Sequence, residues 1–242
     1  LDDSVCQVSA LRCLVANCAG EHRTALDDAL LGRTVHAVVA GRVASIELLA
    51  VPLTEMVLRC TLSPEQRKLY DGVRLAARQD VQAAMSKHGE KGATIQVLEA
   101  LLRMRQACCD PMLLPADTGA GVPSAKLDRM EELLVDVVSE GHRVLVFSQW
   151  TSFLNRVEER LRGLSLDWVR LDGATKNRQK VIEEFQDPEG PPVFLLSLKA
   201  GGMGLNLTAA DYVLHLDPWW NPAVERQATD RAYRIGQDRP VM

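Results

Sequence analysis

The sequence V-L-V-F at residues 144–147 is the first of four short apolar runs that decide the fold. The other three are W-V-R-L at 168–171, V-F-L-L at 193–196 and Y-V-L-H-L at 212–216. Helical spacing follows three of the runs and predicts helices over residues 151–161, 176–185 and 222–233. Runs this apolar are typical of strands covered on both faces, and their alternation with helices favours parallel pairing. The sequence therefore predicts an α/β fold, a parallel sheet with helices on both faces.

Polar and glycine residues follow each run, at the point where the predicted strand ends. They are Ser148, Gln149, Asp172, Gly173, the segment 197–204 and Asp217. In open α/β sheets, ligands bind outside the carboxyl ends of the strands. We therefore expect the functional site at this edge of the sheet.

The chain before the sheet has helical character. A short strand is predicted over 56–62. Ser63 then suits an N-cap with Pro64 at the first helical position, for a helix that runs to about Lys87 and is broken by Gly89 and Gly92. A second helix is predicted over 94–108, and a third begins after Ser124 as its N-cap. The helix over 94–108 carries apolar residues at three- and four-residue spacing.

Residues 1–50 carry the weakest pattern. They are rich in Ala, Val and Leu and interrupted by glycines, so we expect short helices there. Cys6, Cys13, Cys18 and His22 could be read as zinc ligands. Their spacing fits no common finger pattern, and three of the four lie among apolar residues, which favours ordinary thiols.

Composition limits the class of protein. With 47% apolar and 25% charged residues, the 242-residue chain is neither disordered nor collagen-like. The net charge of −4 excludes a uniformly basic nucleic-acid binder, but not a local basic surface, because salt screens distant charges. No apolar run spans a bilayer, and six cysteines in this length indicate a reducing, cytoplasmic setting. The chain starts at Leu1 without a targeting peptide, so we expect a fragment of a longer protein.

The most informative polar cluster is E-R-Q-A-T-D-R-A-Y-R-I-G-Q at 225–237. On a continuous helix, Gln227, Arg231 and Arg234 share one face. Two guanidinium groups and an amide suit a spread anion such as a triphosphate. The alternative is a solvated face on which Arg231 pairs with Glu225 or Asp230.

Three other clusters are candidates for a functional site, and each has a structural interpretation as well. The glycines of K-A-G-G-M-G-L-N at 199–206 let backbone amides point at a phosphate or a sugar, or else form a tight strand-to-helix turn. Ser148 and Gln149 could bind a backbone phosphate, although Ser148 could equally be a cap. The sequence W-W-N-P at 219–222 could be an aromatic plug on the core. The phosphate-loop pattern G-x-x-x-x-G-K-[ST] is absent from the chain.

The motifs occur in a definite order: V-L-V-F-S-Q-W (144–150), R-L-D-G-A-T (170–175), L-S-L-K-A-G-G-M-G-L-N-L (196–207), D-P-W-W-N-P (217–222) and Q-A-T-D-R-A-Y-R-I-G-Q (227–237). This series resembles the C-terminal motor lobe of Swi2/Snf2-family ATPases of helicase superfamily 2 over about residues 124–238. Upstream, L-S-P-E-Q-R-K-L-Y (62–70), L-L-R-M-R-Q-A-C-C-D-P (101–111) and S-A-K-L-D (124–128) resemble the helical protrusion and the start of the lobe. The resemblance covers about residues 51–242.

The resemblance implies a RecA-like parallel sheet with helices on both faces, and a helical protrusion N-terminal to it. It divides the chain into a junction and protrusion at 51–123 and a lobe at 124–242 that is truncated at its C-terminus. Residues 1–50 stay unassigned, as a divergent or non-native segment, because they lack the basic stretch that the family has before the protrusion. The chain also stops just past the last motif, where the family continues.

The resemblance also implies roles for residues. Arg231 and Arg234 are the catalytic arginine fingers. Gln227, Gly202 and Gly204 are nucleotide-binding. Ser148, Gln149, Lys199, Gly201 and Asn206 contact DNA, and further basic candidates for such contacts are Arg103, Arg105, Lys176, Arg178 and Lys180. Trp220 and Asn221 couple the two events. No residue is a metal ligand.

The expected activity belongs to a two-lobe enzyme. ATP and Mg²⁺ are its substrate and cofactor, and the missing first lobe supplies the phosphate loop and the acidic metal site. This chain alone is then expected to bind neither tightly and to hydrolyse ATP negligibly. Expected partners are double-stranded DNA and the N-terminal lobe of a monomeric motor, with no membrane, in the cytoplasm at the nucleoid or in a eukaryotic nucleus. The alternatives are a degenerate α/β interaction module, or a lobe of another superfamily 2 helicase that acts on RNA or of a restriction translocase.

Overall fold

The computed structural model describes residues 11–14, 33–39, 42–48, 53–115, 118–200, 205–233 and 237–242. The strands in these ranges are β1 (Leu11–Leu14), β2 (Arg33–Val39), β3 (Arg42–Leu48), β4 (Glu55–Leu58), β5 (Val144–Ser148), β6 (Trp168–Leu171), β7 (Val193–Ser197) and β8 (Tyr212–His215). The helices are α1 (Pro64–Gly92), α2 (Thr94–Cys109), α3 (Ala125–Ser139), α4 (Thr151–Gly163), α5 (Arg178–Gln186) and α6 (Pro222–Thr229). None of these helices is long and apolar enough to cross a membrane.

The four predicted strands form one parallel sheet in the order β8-β5-β7-β6. Strand β5 lies at its centre, where Val144 pairs with Val193 on one side and with Tyr212 on the other. Because the strands are parallel, their carboxyl ends meet at one edge of the sheet. The predicted α/β architecture is therefore confirmed.

The strand side chains alternate between two cores, one on each face of the sheet. On β5, Val144 and Val146 enter the first core, and Leu145 and Phe147 enter the second. All four are fully buried. Coverage of both faces thus requires apolar residues along the central strands, which explains why β5 and β7 show no polar alternation before their final serine.

Helices close each core. Helices α3 and α4 cover the first face through Leu127, Met130, Leu134, Val137, Phe153, Leu154, Val157 and Leu161. Helices α5 and α6 cover the second face, which includes Phe185 and Ala228. Helix α3 ends in a left-handed Gly141 with φ 81°, whose N–H donates to Val138 while the next N–H donates to Val137. This Schellman turn needs glycine and leads the chain directly into β5.

The segment before residue 50 differs from the prediction of short helices. Strand β1 lies between β4 and β8 and pairs antiparallel with both, so it extends the parallel sheet. Strands β2 and β3 pair with each other as a separate antiparallel ribbon. The β-branched residues of T-V-H-A-V-V and R-V-A-S-I-E, in near-alternation, favour strands, and the Ala-rich composition concealed that preference. Of the proposed zinc ligands, Cys6, Cys18 and His22 lie outside the described residues.

Helices α1 and α2, which we call the protrusion, pack against each other upstream of the lobe. Helix α1 begins at Pro64, and the Ser63 hydroxyl accepts from the Gln66 N–H at 3.1 Å, as predicted. Gly89 interrupts its helical geometry with φ 69°, also as predicted. The preceding strand, β4, ends four residues earlier than the predicted strand.

The protrusion is joined to the lobe by buried hydrogen bonds. The Gln66 side chain is fully buried; its amide donates to the Ala107 carbonyl at 3.0 Å and accepts from the Ala125 N–H at 3.1 Å. The predicted cap of α3 is therefore wrong in detail. Ser124 precedes the helix, but its hydroxyl donates to the Cys109 carbonyl at 3.2 Å, and Gln66 accepts from the first helical amide instead.

Candidate functional site

The segments that follow three parallel strands converge, and we call them the carboxyl edge: residues 148–150, 197–200 and 216–221. The Leu198 N–H donates to the Ser148 carbonyl at 3.0 Å, and the Leu216 N–H donates to the Phe147 carbonyl at 3.0 Å. The Ser148 hydroxyl also donates to Asp217 Oδ2 at 3.1 Å. The predicted gathering of polar segments at this edge is confirmed for these residues.

Asp217 is the centre of this edge, and only 1% of it is exposed. Besides the Ser148 hydroxyl, its carboxylate accepts from the Gln149 N–H at 3.1 Å. Burial raises the Asp217 pKa to about 7, although nearby Lys126 and these hydrogen bonds oppose the rise. Asp217 therefore joins the segments after β5 and β8. Because burial disfavours the ionised carboxylate, the free energy of this arrangement depends on whether Asp217 is ionised.

Two buried cations hold the backbone on either side of Asp217. Lys126, from α3, donates to the Leu216 carbonyl at 2.7 Å and is 1% exposed. Its ammonium also lies 3.5 Å from Cys109 Sγ. Arg105, from α2, donates to the Pro218 carbonyl at 2.5 Å. Each buried charge thus has a partner, as burial requires.

Arg105 also lies against two aromatic rings. Its guanidinium carbon is 5.4 Å from the centroid of Trp150 and 4.8 Å from that of Trp220. The residue is only 9% exposed. Its donors face the carboxyl edge from inside the fold, so a contact of Arg105 with DNA stays a prediction.

The W-W-N-P segment is fixed at both of its ends. Buried Glu225 accepts from the Trp219 N–H at 2.7 Å, and the Asn221 side chain caps α6 by accepting from the Ala223 N–H at 3.0 Å. Between them, Trp220 is 67% exposed. The alternative of an aromatic plug on the core is therefore wrong for Trp220, which is presented at the surface.

The arginine cluster departs from the predicted helix. Helix α6 ends at Thr229, and Arg231 lies in the turn that follows, with its carbonyl accepting from the Leu207 N–H at 2.9 Å. Gln227 is exposed, whereas Arg231 is only 4% exposed. The two residues therefore do not share one helix face, and the alternative of a solvated Arg231 is wrong as well. Arg234 lies outside the described residues.

Buried Gln237 organises this turn. Its amide nitrogen lies 3.2 Å from the Thr208 carbonyl, 2.8 Å from that of Ala210 and 3.1 Å from that of Ala232. It therefore links the turn that carries Arg231 to the loop before β8. No spacing rule pointed to this residue.

The other residues predicted to contact DNA or nucleotide at this edge differ in their exposure and hydrogen bonding. Lys199 and Asn206 are exposed. Ser148 is fully buried, and its hydroxyl donates to Asp217 and accepts from the Trp150 N–H. The capping alternative is wrong, because α4 has no side-chain cap. Gln149 keeps a buried amide nitrogen for which the described residues provide no hydrogen-bond partner. Gly201, Gly202 and Gly204 lie outside the described residues.

No cluster of three or more His, Cys, Asp or Glu side chains that could hold a metal occurs in the described ranges. The acidic residue after β6, Asp172, serves its own turn. Its carboxylate accepts from the Ala174 N–H at 2.8 Å and pairs with Arg170 at 2.7 Å. Burial favours a higher Asp172 pKa, but these bonds hold the pKa below its ordinary value.

Sequence reasoning missed Lys126, named Arg105 only as a candidate DNA contact, and noted Asp217 only as one polar residue among several. The available signal was position: Asp217 directly follows a buried strand, where a carboxylate needs partners. Nothing local distinguishes Lys126 or Arg105 from surface cations on amphipathic helices, because their partners are about 90 and 113 positions away.

The geometry is that of a helicase lobe. The sequence profile of the helicase conserved C-terminal domain matches residues 125–236, which include the parallel sheet and its carboxyl edge.

Individual relatives show more closely which helicases this chain resembles. An ATP-dependent helicase of Mycoplasma genitalium is 34% identical over 182 residues, which are 74% of this chain and 17% of the relative. The protein CHROMATIN REMODELING 24 of Arabidopsis thaliana is 46% identical over 121 residues, 49% of this chain and 11% of the relative. The chain thus spans less than a fifth of the length of these relatives.

The solved C-terminal domain of the Sulfolobus solfataricus SWI2/SNF2 ATPase is 30% identical, with a TM-score of 0.57. The alignment covers 69% of this chain and 73% of that domain. The chain belongs to the Swi2/Snf2 family of ATPases, and its parallel sheet is the RecA-like C-terminal lobe of that family.

Proposed function

We propose that this chain is the second motor lobe of an ATP-dependent translocase on double-stranded DNA. The observation that carries the proposal is the convergence of the family's motifs on one edge of the sheet, joined through Ser148, Leu198 and Asp217. A motor must couple nucleotide to DNA, and this edge places the segments after three strands in direct contact. The names of the relatives, a helicase and a chromatin remodelling protein, support the same assignment.

Exposed and unpartnered groups would contact the DNA backbone. Lys199 and Asn206 are exposed next to the edge, and the Gln149 amide has a donor without a partner among the described residues. Such groups bind phosphates without reading sequence. Ser148 would support these contacts indirectly, because its buried hydroxyl bonds to Asp217 and to the backbone of Trp150.

The catalytic part of the proposal rests on Arg231 and Arg234, with Gln227, Gly202 and Gly204 near the nucleotide. In this chain Arg231 is only 4% exposed. We therefore propose that its guanidinium reaches the transferring phosphoryl group only when the N-terminal lobe docks, where such a charge accelerates hydrolysis by about 10³–10⁵. ATP and Mg²⁺ would be held mainly by that first lobe, where Mg²⁺ neutralises charge on the phosphates.

An ATPase assay tests this division of labour. The isolated chain should hydrolyse ATP negligibly with or without duplex DNA, and the protein that joins it to the N-terminal lobe should show DNA-stimulated turnover. Robust turnover by the isolated chain would refute the half-motor proposal.

The finger role has its own test in the two-lobe protein. Arg231→Lys keeps the charge but loses the forked donors, and it should lower turnover by about 10³-fold or more. Arg226→Lys, on the exposed face of α6, is the matched control and should leave turnover unchanged. Equal turnover of the two variants, each folded by circular dichroism, would refute the finger role. A two-lobe parent without turnover would instead favour a degenerate interaction module. Stimulation by RNA in place of duplex DNA would favour an RNA helicase.

A further inference from the structure

The backbone of Leu216, Asp217 and Pro218 is held by two helices outside the sheet. Lys126 reaches the Leu216 carbonyl from α3, and Arg105 reaches the Pro218 carbonyl from α2. The Asp217 carboxylate between them binds the segment that follows β5. Three consecutive residues thus join the sheet, the lobe helix and the protrusion.

Arg105 differs from Lys126 in what else it contacts. Its guanidinium lies over the ring of Trp220 at 4.8 Å and near that of Trp150 at 5.4 Å. These two rings belong to different segments of the carboxyl edge, so one side chain contacts both. Among the described ring contacts, Arg105 alone connects the protrusion to both tryptophans.

The physical demands at this position select arginine. A planar guanidinium can stack on an aromatic face and still donate in its plane to a carbonyl, whereas an ammonium is a compact point charge. Trp220 is 67% exposed, so the core does not fix its orientation. The contacts of Arg105 supply that constraint from the protrusion.

We propose that Arg105 is a positioning residue through which the protrusion sets the Trp219–Asn221 segment. A displacement of α2 would move the Pro218 carbonyl and the Trp220 ring together. DNA bound at the carboxyl edge then acts on the Trp219–Asn221 segment, and the protrusion sets the position of that segment before DNA binds. The effect on the response to DNA rests on the proposed motor function, whereas the contacts of Arg105 with the segment do not.

The geometric half is tested by hydrogen exchange in the two-lobe protein. Arg105→Met keeps an unbranched apolar stem and removes the donors and the charge. The Trp219 amide donates to Glu225 and belongs to the peptide unit whose Pro218 carbonyl Arg105 holds. It should then exchange about tenfold faster, because a charged hydrogen bond that restrains this peptide unit is lost. Arg103→Met is the matched control, since Arg103 lies on the same helix, is exposed, and pairs with Glu99.

The functional half is measured as the ratio of turnover with duplex DNA to turnover without it. Arg105→Met should lower this ratio by about tenfold with the KM for ATP unchanged, a split that general destabilisation does not produce. Arg105→Lys should recover part of the ratio, and it serves in place of Arg105→Met should that variant fail to fold.

Two results overturn the proposal. One is exchange of the Trp219 amide in the Arg105 variants that matches the Arg103→Met control, and the other is an unchanged DNA-stimulation ratio in a DNA-stimulated parent. If the parent shows no DNA stimulation, the proposed motor function fails. The exchange comparison still decides whether Arg105 holds the segment.

Discussion

Asp217 shows what a single residue contributes at the carboxyl edge. Its carboxylate is 1% exposed, accepts from Ser148 and Gln149, and lies near two cations from separate helices. Such a network is stable only when every member is satisfied, so each partner constrains the others. The edge is therefore set by charge and hydrogen bonding, whereas the sheet beneath it is set by apolar packing.

The titration of Asp217 predicts a dependence of stability on pH. Its pKa rises from an ordinary value of 3.8 to about 7 in the folded chain, so the folded state binds the proton more tightly than the unfolded state. The stabilisation is complete below about pH 4 and is lost as the pH rises through about 7. Asp217→Asn should flatten the fall of the unfolding free energy between pH 4 and pH 7.

Urea denaturation at several pH values measures this effect. Asp80→Asn, an exposed change on α1, serves as the control and should leave the pH profile of the parent intact. Parallel profiles for the parent and Asp217→Asn would show that Asp217 does not titrate in this range.

At the scale of elements, α6 begins with a side-chain cap and ends where tertiary contacts interrupt it. Asn221 accepts from the Ala223 N–H, and Pro222 occupies the first helical position. Beyond Thr229 the chain turns, and the Arg231 carbonyl bonds to the loop after β7. The length of α6 thus decides that Arg231 lies inside the lobe and Gln227 outside it.

The cap makes a prediction about α6 that separates structure from coupling. Asn221→Ala should lower the free energy of unfolding by about 1 kcal/mol, because the Ala223 N–H loses its partner, whereas Asn221→Ser should retain most of it. Chemical denaturation measures both. If the two variants have equal stability, the cap does not hold the helix; if both lose DNA stimulation, Asn221 contributes to coupling beyond its cap.

At the scale of the whole molecule, the chain has a net charge of −4 and is proposed to bind DNA, which is also negatively charged. Salt screens charges beyond about 10 Å, so local groups such as exposed Lys199 matter more than the total. Affinity for duplex DNA should therefore be modest and steeply dependent on salt.

A titration of the two-lobe protein with duplex DNA between 50 and 200 mM salt tests this expectation. Contact with about three phosphates should weaken binding about fortyfold over that range. Lys199→Gln should reduce the slope of log K against log salt by about one, and Lys87→Gln, on α1, should leave it unchanged. Binding that is independent of salt would contradict a phosphate-based contact.

Elements with a strong local signal were predictable, and those with a tertiary cause were not. Strands β5, β7 and β8 were predictable because burial on both faces favours an apolar residue at nearly every position, and β6 was predictable from its own short apolar run. Strand β1 did not, because its place between β4 and β8 depends on partners more than 40 residues away. The end of α6 was missed because D-R-A-Y has no helix-breaking residue and the loop contacts that stop the helix are remote.

The sequence by itself determined the parallel α/β lobe, its family and the edge at which its polar segments gather, since periodicity and motif order are local properties of the chain. The tertiary structure alone decided that Lys126 and Arg105 turn inward, that Asp217 is the centre of the edge, and that Trp220 is exposed while Arg231 is buried. The physical reason is that burial and charge pairing depend on groups distant in sequence, which only the packed fold brings together.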